Sequence, residues 1–301
     1  MRVLITGGTG LIGSHLGREL AAAGHEVVVL TRDPSSAGPL PPGVRAVGWD
    51  ARTAAGWGHL VAGAAIVHLA GENIGAGRWT AERKRRIYDS RVRSGEAVLA
   101  AVEQADEKPR VLLQASGVGY YGDGGDVELD EESPLGDGFL SEVCRDWEAV
   151  TADVEALGVR RAVLRTSMVL AREGGALPRL ALPFRLFAGG TVGDGGAWRP
   201  WIHVADHLAA IHLLLAHETA SGAFNLTAPR PATARELART LGRVMRRPSF
   251  LPAPSFAVRL ALGEMADALL VSQRAVPRRL AKLGFSFRFP DLEPALGDLL
   301  R

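Results

Sequence analysis

The sequence predicts an α/β protein with a doubly wound parallel sheet and a second, smaller and mainly helical domain. Three observations support this. A glycine-rich turn joins an apolar run to an amphipathic helical pattern at the amino terminus, short β-branched runs alternate with helical segments up to about residue 228, and the remaining chain is mostly helical in pattern. With 301 residues, of which 47% are hydrophobic, the chain is long enough for one large domain or two unequal ones.

The first βαβ unit is contained in "MRVLITGGTGLIGSHLGRELAAAGHEVVVLTRD". An apolar run from Val3 to Ile5 leads into the glycines, a helical pattern follows up to Gly24, and a second apolar run covers Val27 to Leu30. Glycines at such a turn let the backbone approach a pyrophosphate at the helix N-terminus. A tight turn without a ligand is the alternative, but the flanking strands favour a Rossmann-type dinucleotide site. Its predicted cofactor-binding residues are Gly7, Thr9, Gly10, Leu11, Ile12 and Gly13.

The end of the second strand indicates which cofactor is used. A carboxylate at this position hydrogen-bonds the ribose of NAD, whereas a basic residue accommodates the additional phosphate of NADP. The sequence has Thr31 and Arg32 here, and Asp33, directly before Pro34, is expected to be a turn residue. NADP (NADPH) is therefore favoured over NAD. An exposed surface arginine stays an alternative role for Arg32.

Two further strands are predicted in "VRAVGWD" and "AAIVHLAGENI". The second ends in Leu69, Ala70 and Gly71, which should face the cofactor. A helix capped by Thr80 follows, and its Arg91 is expected at the cofactor's phosphates. The basic run of this helix is interrupted by acidic residues, which favours a solvated face over a nucleic-acid site.

Composition excludes several other classes. The 35 basic and 33 acidic residues leave a net charge of +2, so no nucleic-acid or membrane-surface partner is predicted. The single cysteine, Cys144, fits a reducing compartment, and the apolar run at the amino terminus is too short for a signal peptide, so a cytoplasmic location is expected. His203 and His207 have a spacing seen in metal sites, but "VAD" between them lacks the glutamate of that pattern and no metal is predicted.

The fifth and sixth strands are predicted in "RVLLQASGVGYYG" and "RRAVLRTSMVL". They bring Ser116, Tyr121 and the run from Arg165 to Val169 to the carboxyl edge of the sheet, where ligands of open α/β sheets bind. Together with GGTGLIG, HLAG, SGVGYYG, LRTSMVL and RPWIHVAD, these segments resemble the extended or atypical short-chain dehydrogenase/reductase superfamily, in its epimerase and dehydratase branch. The segments LAGENI, GRWTAERK and EVCRDWEA and the carboxyl-terminal tail are similar to the atypical subgroup called "epimerase family protein".

This resemblance implies a helix after the fifth strand that carries a catalytic tyrosine and, four residues later, a lysine. In register with Trp147 and Glu148, those positions are Leu140 and Cys144, and neither side chain can replace the pair. Ser116 and Tyr121 are the candidate catalytic substitutes, with packing of the loop as the alternative role for Tyr121.

The resemblance also predicts the substrate half. Residues 1–170 and 201–228 should form the NADP-binding domain, and residues 171–200 and 229–301 the smaller substrate domain. Arg199 and His203 are the candidate substrate-binding residues, although a hinge-loop ion pair is an equal alternative for Arg199. The expected function is an NADP-dependent oxidoreductase or nucleoside-diphosphate-sugar-epimerase-like enzyme of unidentified small-molecule substrate, monomeric or homodimeric. The alternative is a non-catalytic NADP(H)-binding sensor or partner-binding protein.

Overall fold

Strands and helices alternate along most of the chain. The computed structural model describes residues 1–38 and 40–301. The strands are β1 (Arg2–Thr6), β2 (Glu26–Thr31), β3 (Val44–Gly48), β4 (Ala65–His68), β5 (Val111–Gly117), β6 (Glu128–Leu129), β7 (Arg160–Thr166), β8 (Met168–Ala171), β9 (Gly174–Gly175), β10 (Trp198–Arg199), β11 (Trp201–His203), β12 (Gly222–Leu226), β13 (Ala232–Thr233) and β14 (Arg274–Ala275). The helices are α1 (Leu11–Ala22), α2 (Ala81–Gln104), α3 (Phe139–Ala149), α4 (Leu177–Arg185), α5 (Val204–Ala216), α6 (Ala234–Met245), α7 (Ser255–Leu262), α8 (Met265–Leu270), α9 (Arg278–Lys282) and α10 (Leu292–Leu300).

A parallel sheet of seven strands forms the centre, in the order β12-β7-β5-β4-β1-β2-β3. From β1 the chain builds the sheet outward through β2 and β3, then returns to add β4 on the opposite side of β1. The strand order therefore reverses between β1 and β4, and a crevice opens there at the carboxyl ends of the strands. This architecture confirms the predicted doubly wound α/β fold.

Alternating side chains of the sheet enter two cores. Val3 and Ile5 of β1 point to the core shared with α1 and α5, whereas Leu4 points to the opposite core with Ile66 and Val98. A sheet covered on both faces needs apolar residues at nearly every position, which explains the continuous apolar runs in the sequence. A third cluster, which includes Phe184, Trp201, Leu237 and Leu296, joins α4, α6 and α10.

The predicted sixth strand differs from the observed one. It is interrupted at Ser167, whose amide and hydroxyl both donate to the Leu226 carbonyl, at 3.1 and 3.0 Å. Met168 then donates its amide to Pro200 at 3.2 Å, so the chain exchanges its partner β12 for the segment leading into β11. The division of the chain into two domains stays a prediction. Strand β8 extends one residue beyond the expected boundary at residue 170.

Helix boundaries are explained by local chemistry. The Thr80 hydroxyl accepts from the Arg83 amide at 3.2 Å, which confirms the predicted cap of α2. Thr233 caps α6 in a reciprocal arrangement with Glu236. The segment 255–270 forms two helices, α7 and α8, because Gly263, with a φ of 61° that favours glycine, ends α7.

Within residues 1–38 and 40–301, no helix is both long and apolar enough to cross a membrane. The same residues contain no group of three or more His, Cys, Asp or Glu side chains that could hold a metal ion.

Candidate nucleotide-binding site

The glycine turn after β1 packs directly against the end of β4. Gly7 has a φ of +67°, and a Cβ atom on it would lie 2.9 Å from both the carbonyl carbon and oxygen of Leu69. A Cβ on Gly13 would lie 2.6 Å from the Gly7 oxygen and the Gly8 Cα, so α1 also needs a glycine to sit this close. The cap residue of α1, Gly10, offers no side-chain acceptor, and the first turn of the helix carries no acidic residue. This is the arrangement in which a helix N-terminus can receive a phosphate.

A buried hydrogen-bond network fixes the ends of β1 and β4 relative to each other. The Thr6 hydroxyl accepts from the amides of Leu69 and Ala70, each at 3.1 Å, and lies 2.7 Å from His68 Nδ1. His68 Nε2 accepts from the Trp147 indole N–H at 3.5 Å and lies 3.3 Å from the Ser94 hydroxyl oxygen. Burial, followed by the charge of Arg91, lowers the pKa of His68 from 6.5 to about 3.

Arg32 is exposed directly after β2, next to the half-buried Thr31. Asp33 accepts from the Ser35 amide at 3.0 Å and from the Ser35 hydroxyl at 2.6 Å, and it caps the short helical turn Pro34–Ala37. Asp33 is therefore a turn residue, as predicted. The Arg32 cation lies beside the carboxyl end of β2. This position is compatible with both interpretations, a phosphate-binding residue and an exposed surface arginine.

Arg91 of α2 lies at the end of β4, where it was expected near the cofactor. A Cβ on Gly71 would lie 3.1 to 3.3 Å from the Arg91 guanidinium atoms. Its Nη1 donates to the carbonyls of Glu72 at 3.2 Å and Ile87 at 2.9 Å. The guanidinium also stacks over the Trp147 ring, 4.9 Å from its centroid. These contacts hold the cation at the far side of the glycine turn from Arg32.

Ser116, near the end of β5, belongs to a buried ionic network. Its hydroxyl donates to Glu148 Oε1 at 2.6 Å. Arg165 donates to the same carboxylate through Nε at 3.0 Å and through Nη2 at 2.9 Å, a two-pronged contact of the kind that fixes geometry. Ser116 is 6% exposed, so only the edge of its side chain reaches the crevice.

Tyr121 lies deeper than Ser116, with 3% of its surface exposed. Its hydroxyl donates to Asn225 Oδ1 at 2.7 Å and accepts from Arg165 Nη1 at 3.1 Å. Burial raises the pKa of Tyr121 to about 12, against the opposing influence of Arg165. This environment favours the packing role over proton transfer to a substrate.

Helix α3 packs against the end of β5 through Leu140 and Cys144, the two positions that hold tyrosine and lysine in the family pattern. A Cβ on Gly119 would lie 3.1 Å from the Leu140 Cβ, and a Cβ on Gly117 would lie 3.7 Å from the Cys144 Sγ. Burial raises the pKa of the Cys144 thiol, so this side chain is a neutral, apolar group near the crevice. At these positions the helix therefore presents an alkyl group and a protonated thiol in place of a phenol and an ammonium group.

The predicted substrate residues have different environments. Arg199 is half-buried, donates through Nη1 to the carbonyls of Trp198 and Val271, and has a buried Nη2 without a partner among the described residues. His203 is 3% exposed, caps α5 by accepting from the Ala205 amide at 3.1 Å, and stacks on Phe289 with ring centroids 3.9 Å apart. These contacts give His203 a capping and packing role. Val169, a predicted cofactor residue, is half-buried on β8 and pairs with β11.

Two buried polar pairs beside the candidate site were not predicted from the sequence: Thr6 with His68, and Glu148 with Arg165. A usable signal existed for the second pair, since an arginine inside the apolar run "AVLRTS" must meet an acceptor when the strand is buried. The identity of that acceptor depends on how α3 packs, which no local pattern specifies.

A glycine turn at the switch point of a doubly wound parallel sheet defines a dinucleotide-binding class of protein. Comparison with known proteins agrees. Residues 3–227 match the model of the NAD dependent epimerase/dehydratase family, and residues 253–299 match a domain of unknown function, DUF1731. The chain belongs to the NAD dependent epimerase/dehydratase family, which confirms the resemblance inferred from its motifs.

Similar proteins cover nearly the whole chain. It is 39% identical to the chloroplastic "Epimerase family protein SDR39U1 homolog" of Arabidopsis thaliana, across 100% of this chain and 87% of the relative. It is 37% identical to "Epimerase family protein YfhF" of Bacillus subtilis, across 100% and 98%. A crystal structure of human epimerase family protein SDR39U1 (isoform 2) with NADPH is 37% identical, covers 99% of both chains and has a TM-score of 0.89.

Gly13→Ala should disturb the turn, and Gly17→Ala on the same helix is its matched control. The Gly13 Cβ would overlap backbone atoms, so we expect a loss of about 1 to 3 kcal/mol in the free energy of unfolding. A Cβ on Gly17 would meet Val27 and Ile5 at ordinary contact distances of 3.7 and 3.8 Å. This control should be neutral or gain roughly 0.5 to 1 kcal/mol from higher helix propensity. Equal effects in urea unfolding would contradict the close packing of the turn.

The free energy of unfolding should fall as the pH drops below 6.5, the ordinary pKa of histidine. Since the pKa of His68 in the folded chain is about 3, only the unfolded chain binds a proton between these values. Each such histidine removes up to about 1.4 kcal/mol per pH unit. His207, whose pKa burial lowers to about 4, acts in the same direction.

Urea unfolding of wild type, His68→Gln and the exposed control His59→Gln checks this expectation. The slope of stability against pH should be smaller in His68→Gln by up to about 1.4 kcal/mol per pH unit, and unchanged in His59→Gln. An unchanged slope in His68→Gln would show that His68 is not held neutral.

Proposed function

We propose that the protein binds NADP(H) across the carboxyl edge of the sheet and acts as an oxidoreductase or nucleoside-diphosphate-sugar-epimerase-like enzyme on a small molecule. The observation that carries this proposal is the contact of Gly7 with the Leu69 backbone at the switch point, beside a helix N-terminus without a capping side chain. The human relative that shares this fold at 37% identity was crystallised with NADPH.

The basic residue after β2 supports NADP as the cofactor. Arg32 is exposed there, while Asp33 uses its carboxylate to cap the following turn. A guanidinium matches the 2′-phosphate of NADP, whereas the ribose of NAD is ordinarily bound by a carboxylate. The proposed cofactor-binding residues are Gly7, Thr9, Gly10, Leu11, Ile12, Gly13, Thr31, Arg32, Leu69, Ala70, Gly71, Arg91 and Val169.

Catalysis in this proposal proceeds without the usual Tyr-x-x-x-Lys pair, whose positions are occupied by Leu140 and Cys144. Ser116 is the proposed replacement. Its hydroxyl donates to the Glu148 carboxylate, so Ser116 can take the proton of a substrate hydroxyl while its own proton passes to Glu148, and the reverse transfer delivers a proton to a carbonyl oxygen. General acid or base assistance contributes about 10² to 10⁴ in rate, so an enzyme that relies on one serine should be slow. Tyr121 is not assigned a catalytic role, because its buried hydroxyl already bonds Asn225 and Arg165.

Arg199 supports an anionic substrate. Its buried Nη2 has no protein acceptor among the described residues, and a buried donor gains free energy from any ligand oxygen that can accept from it. Burial lowers the pKa of Arg199 despite the nearby carboxylates of Asp123 and Asp194. A cytoplasmic protein, either monomeric or homodimeric, fits the single cysteine and the mixed surface charge.

A second candidate function is a non-catalytic NADP(H) sensor. One observation favours it: the hydroxyls of Ser116 and Tyr121 both donate to internal acceptors rather than to the crevice. The two functions share the cofactor site and differ in whether hydride is transferred.

Arg32→Glu should weaken NADPH binding much more than NADH binding, since only NADPH carries the 2′-phosphate. We expect about a hundredfold loss for NADPH, the size of a lost charge-assisted contact plus added repulsion. Isothermal titration of both cofactors measures the effect. Arg110→Glu is the control, because Arg110 is exposed just before β5, at the opposite edge of the sheet. Equal losses for both cofactors would remove the phosphate role of Arg32.

Hydride transfer separates the enzyme from the sensor. Stereospecifically deuterated NADPH, incubated with the protein and a broad carbonyl panel, should pass its label to at least one product. Ser116→Ala should slow this transfer by about 10² or more, while Tyr121→Phe should change it little. The absence of label in every product, with NADPH bound, would support the sensor instead.

A further inference from the structure

Arg91 is a half-buried cation with no ion-pair partner in the part of the chain that the structure describes. Among the described residues, none has a carboxylate oxygen within ion-pair distance of its guanidinium, and its hydrogen bonds go from Nη1 to the Glu72 and Ile87 carbonyls. The nearby Glu72 carboxylate is instead paired with Arg83 and Arg86, each at 3.4 Å. Burial of a charge without a counterion costs free energy of folding, so the position of Arg91 is not explained by the stability of the protein.

The guanidinium stands between the ends of β4 and β5. On one side it lies against Gly71: a Cβ atom added to Gly71 would be 3.1 Å from the guanidinium carbon. On the other side it stacks over Trp147 of α3 and lies close enough to Cys144 to influence the pKa of that thiol. Cys144 in turn contacts Gly117 at the end of β5.

The proposed cofactor orientation decides which part of the ligand this cation meets. If the 2′-phosphate lies at Arg32 after β2, the dinucleotide crosses the glycine turn and its nicotinamide half lies over the ends of β4 and β5. Arg91 and Cys144 both lie on that side. Cys144 occupies the position where the family register expects a cation, yet the cation present there comes from α2.

We propose that Arg91, which lies on α2, binds the nicotinamide ribose and so replaces the cation that is missing where Leu140 and Cys144 stand. Its charge thereby makes the site selective for the reduced cofactor. This inference rests on the proposed function. The nicotinamide ring of NADP⁺ carries a positive charge that NADPH lacks, so a neighbouring guanidinium repels only the oxidised form. An arginine that contacts the pyrophosphate would affect both forms equally.

The test compares wild type with Arg91→Gln, Arg91→Lys and Arg93→Gln by titration with NADPH, NADP⁺ and 2′,5′-ADP. Arg93 is the matched control, since it is exposed on the same helix and pairs with Asp89 at 3.5 Å. Thermal unfolding of each variant verifies that it is folded. The fragment 2′,5′-ADP lacks the nicotinamide half and reports the Arg32 side alone.

We expect Arg91→Gln to weaken NADPH binding and to lower the ratio of the NADP⁺ and NADPH dissociation constants by about tenfold. Arg91→Lys should largely restore the wild-type ratio, and binding of 2′,5′-ADP should not change in any of these variants. An unchanged ratio in Arg91→Gln, or an equal loss for 2′,5′-ADP, would overturn the inference while leaving cofactor binding intact. A wild type that binds neither cofactor would instead overturn the proposed function.

Discussion

The contact between the Gly7 backbone and the Leu69 carbonyl is the constraint on which the cofactor edge depends. It lets the turn after β1 lie directly on the end of β4, with no side chain between them. Thr6 reinforces the contact by accepting the amides of Leu69 and Ala70. With these two strand ends fixed, the N-terminus of α1 opens toward the crevice, and the proposed positions of the pyrophosphate and the nicotinamide follow from the same geometry.

Buried polar groups flank this contact on the side of β4 and β5. His68 is held neutral by burial, and the pair of Glu148 and Arg165 orients Ser116. Buried ion pairs add little net stability over an apolar core, although removal of one partner costs about 3 to 5 kcal/mol. Their value at this position is orientation: rigid donors and acceptors keep the Ser116 oxygen and the Arg91 cation at fixed places along the edge.

Features set by local chemistry could be predicted from the sequence. The glycine turn, the cap Thr80 and the turn residue Asp33 each depend on a few neighbouring residues, and the structure has all of them. Features set by tertiary packing could not. The interruption at Ser167 arises because β8 exchanges its strand partner, and the burial of Tyr121 depends on Asn225, 104 residues away. Arg91 belongs to the same class, since its environment comes from a helix that follows it in the chain.

The central claim is that one dinucleotide binds across the switch point formed by β1 and β4. Isothermal titration of the purified chain with NADPH tests it most directly. We expect saturable binding of one NADPH per chain, with higher affinity than for NADH. No detectable heat of binding up to millimolar NADPH, from a chain shown to be folded, would contradict it.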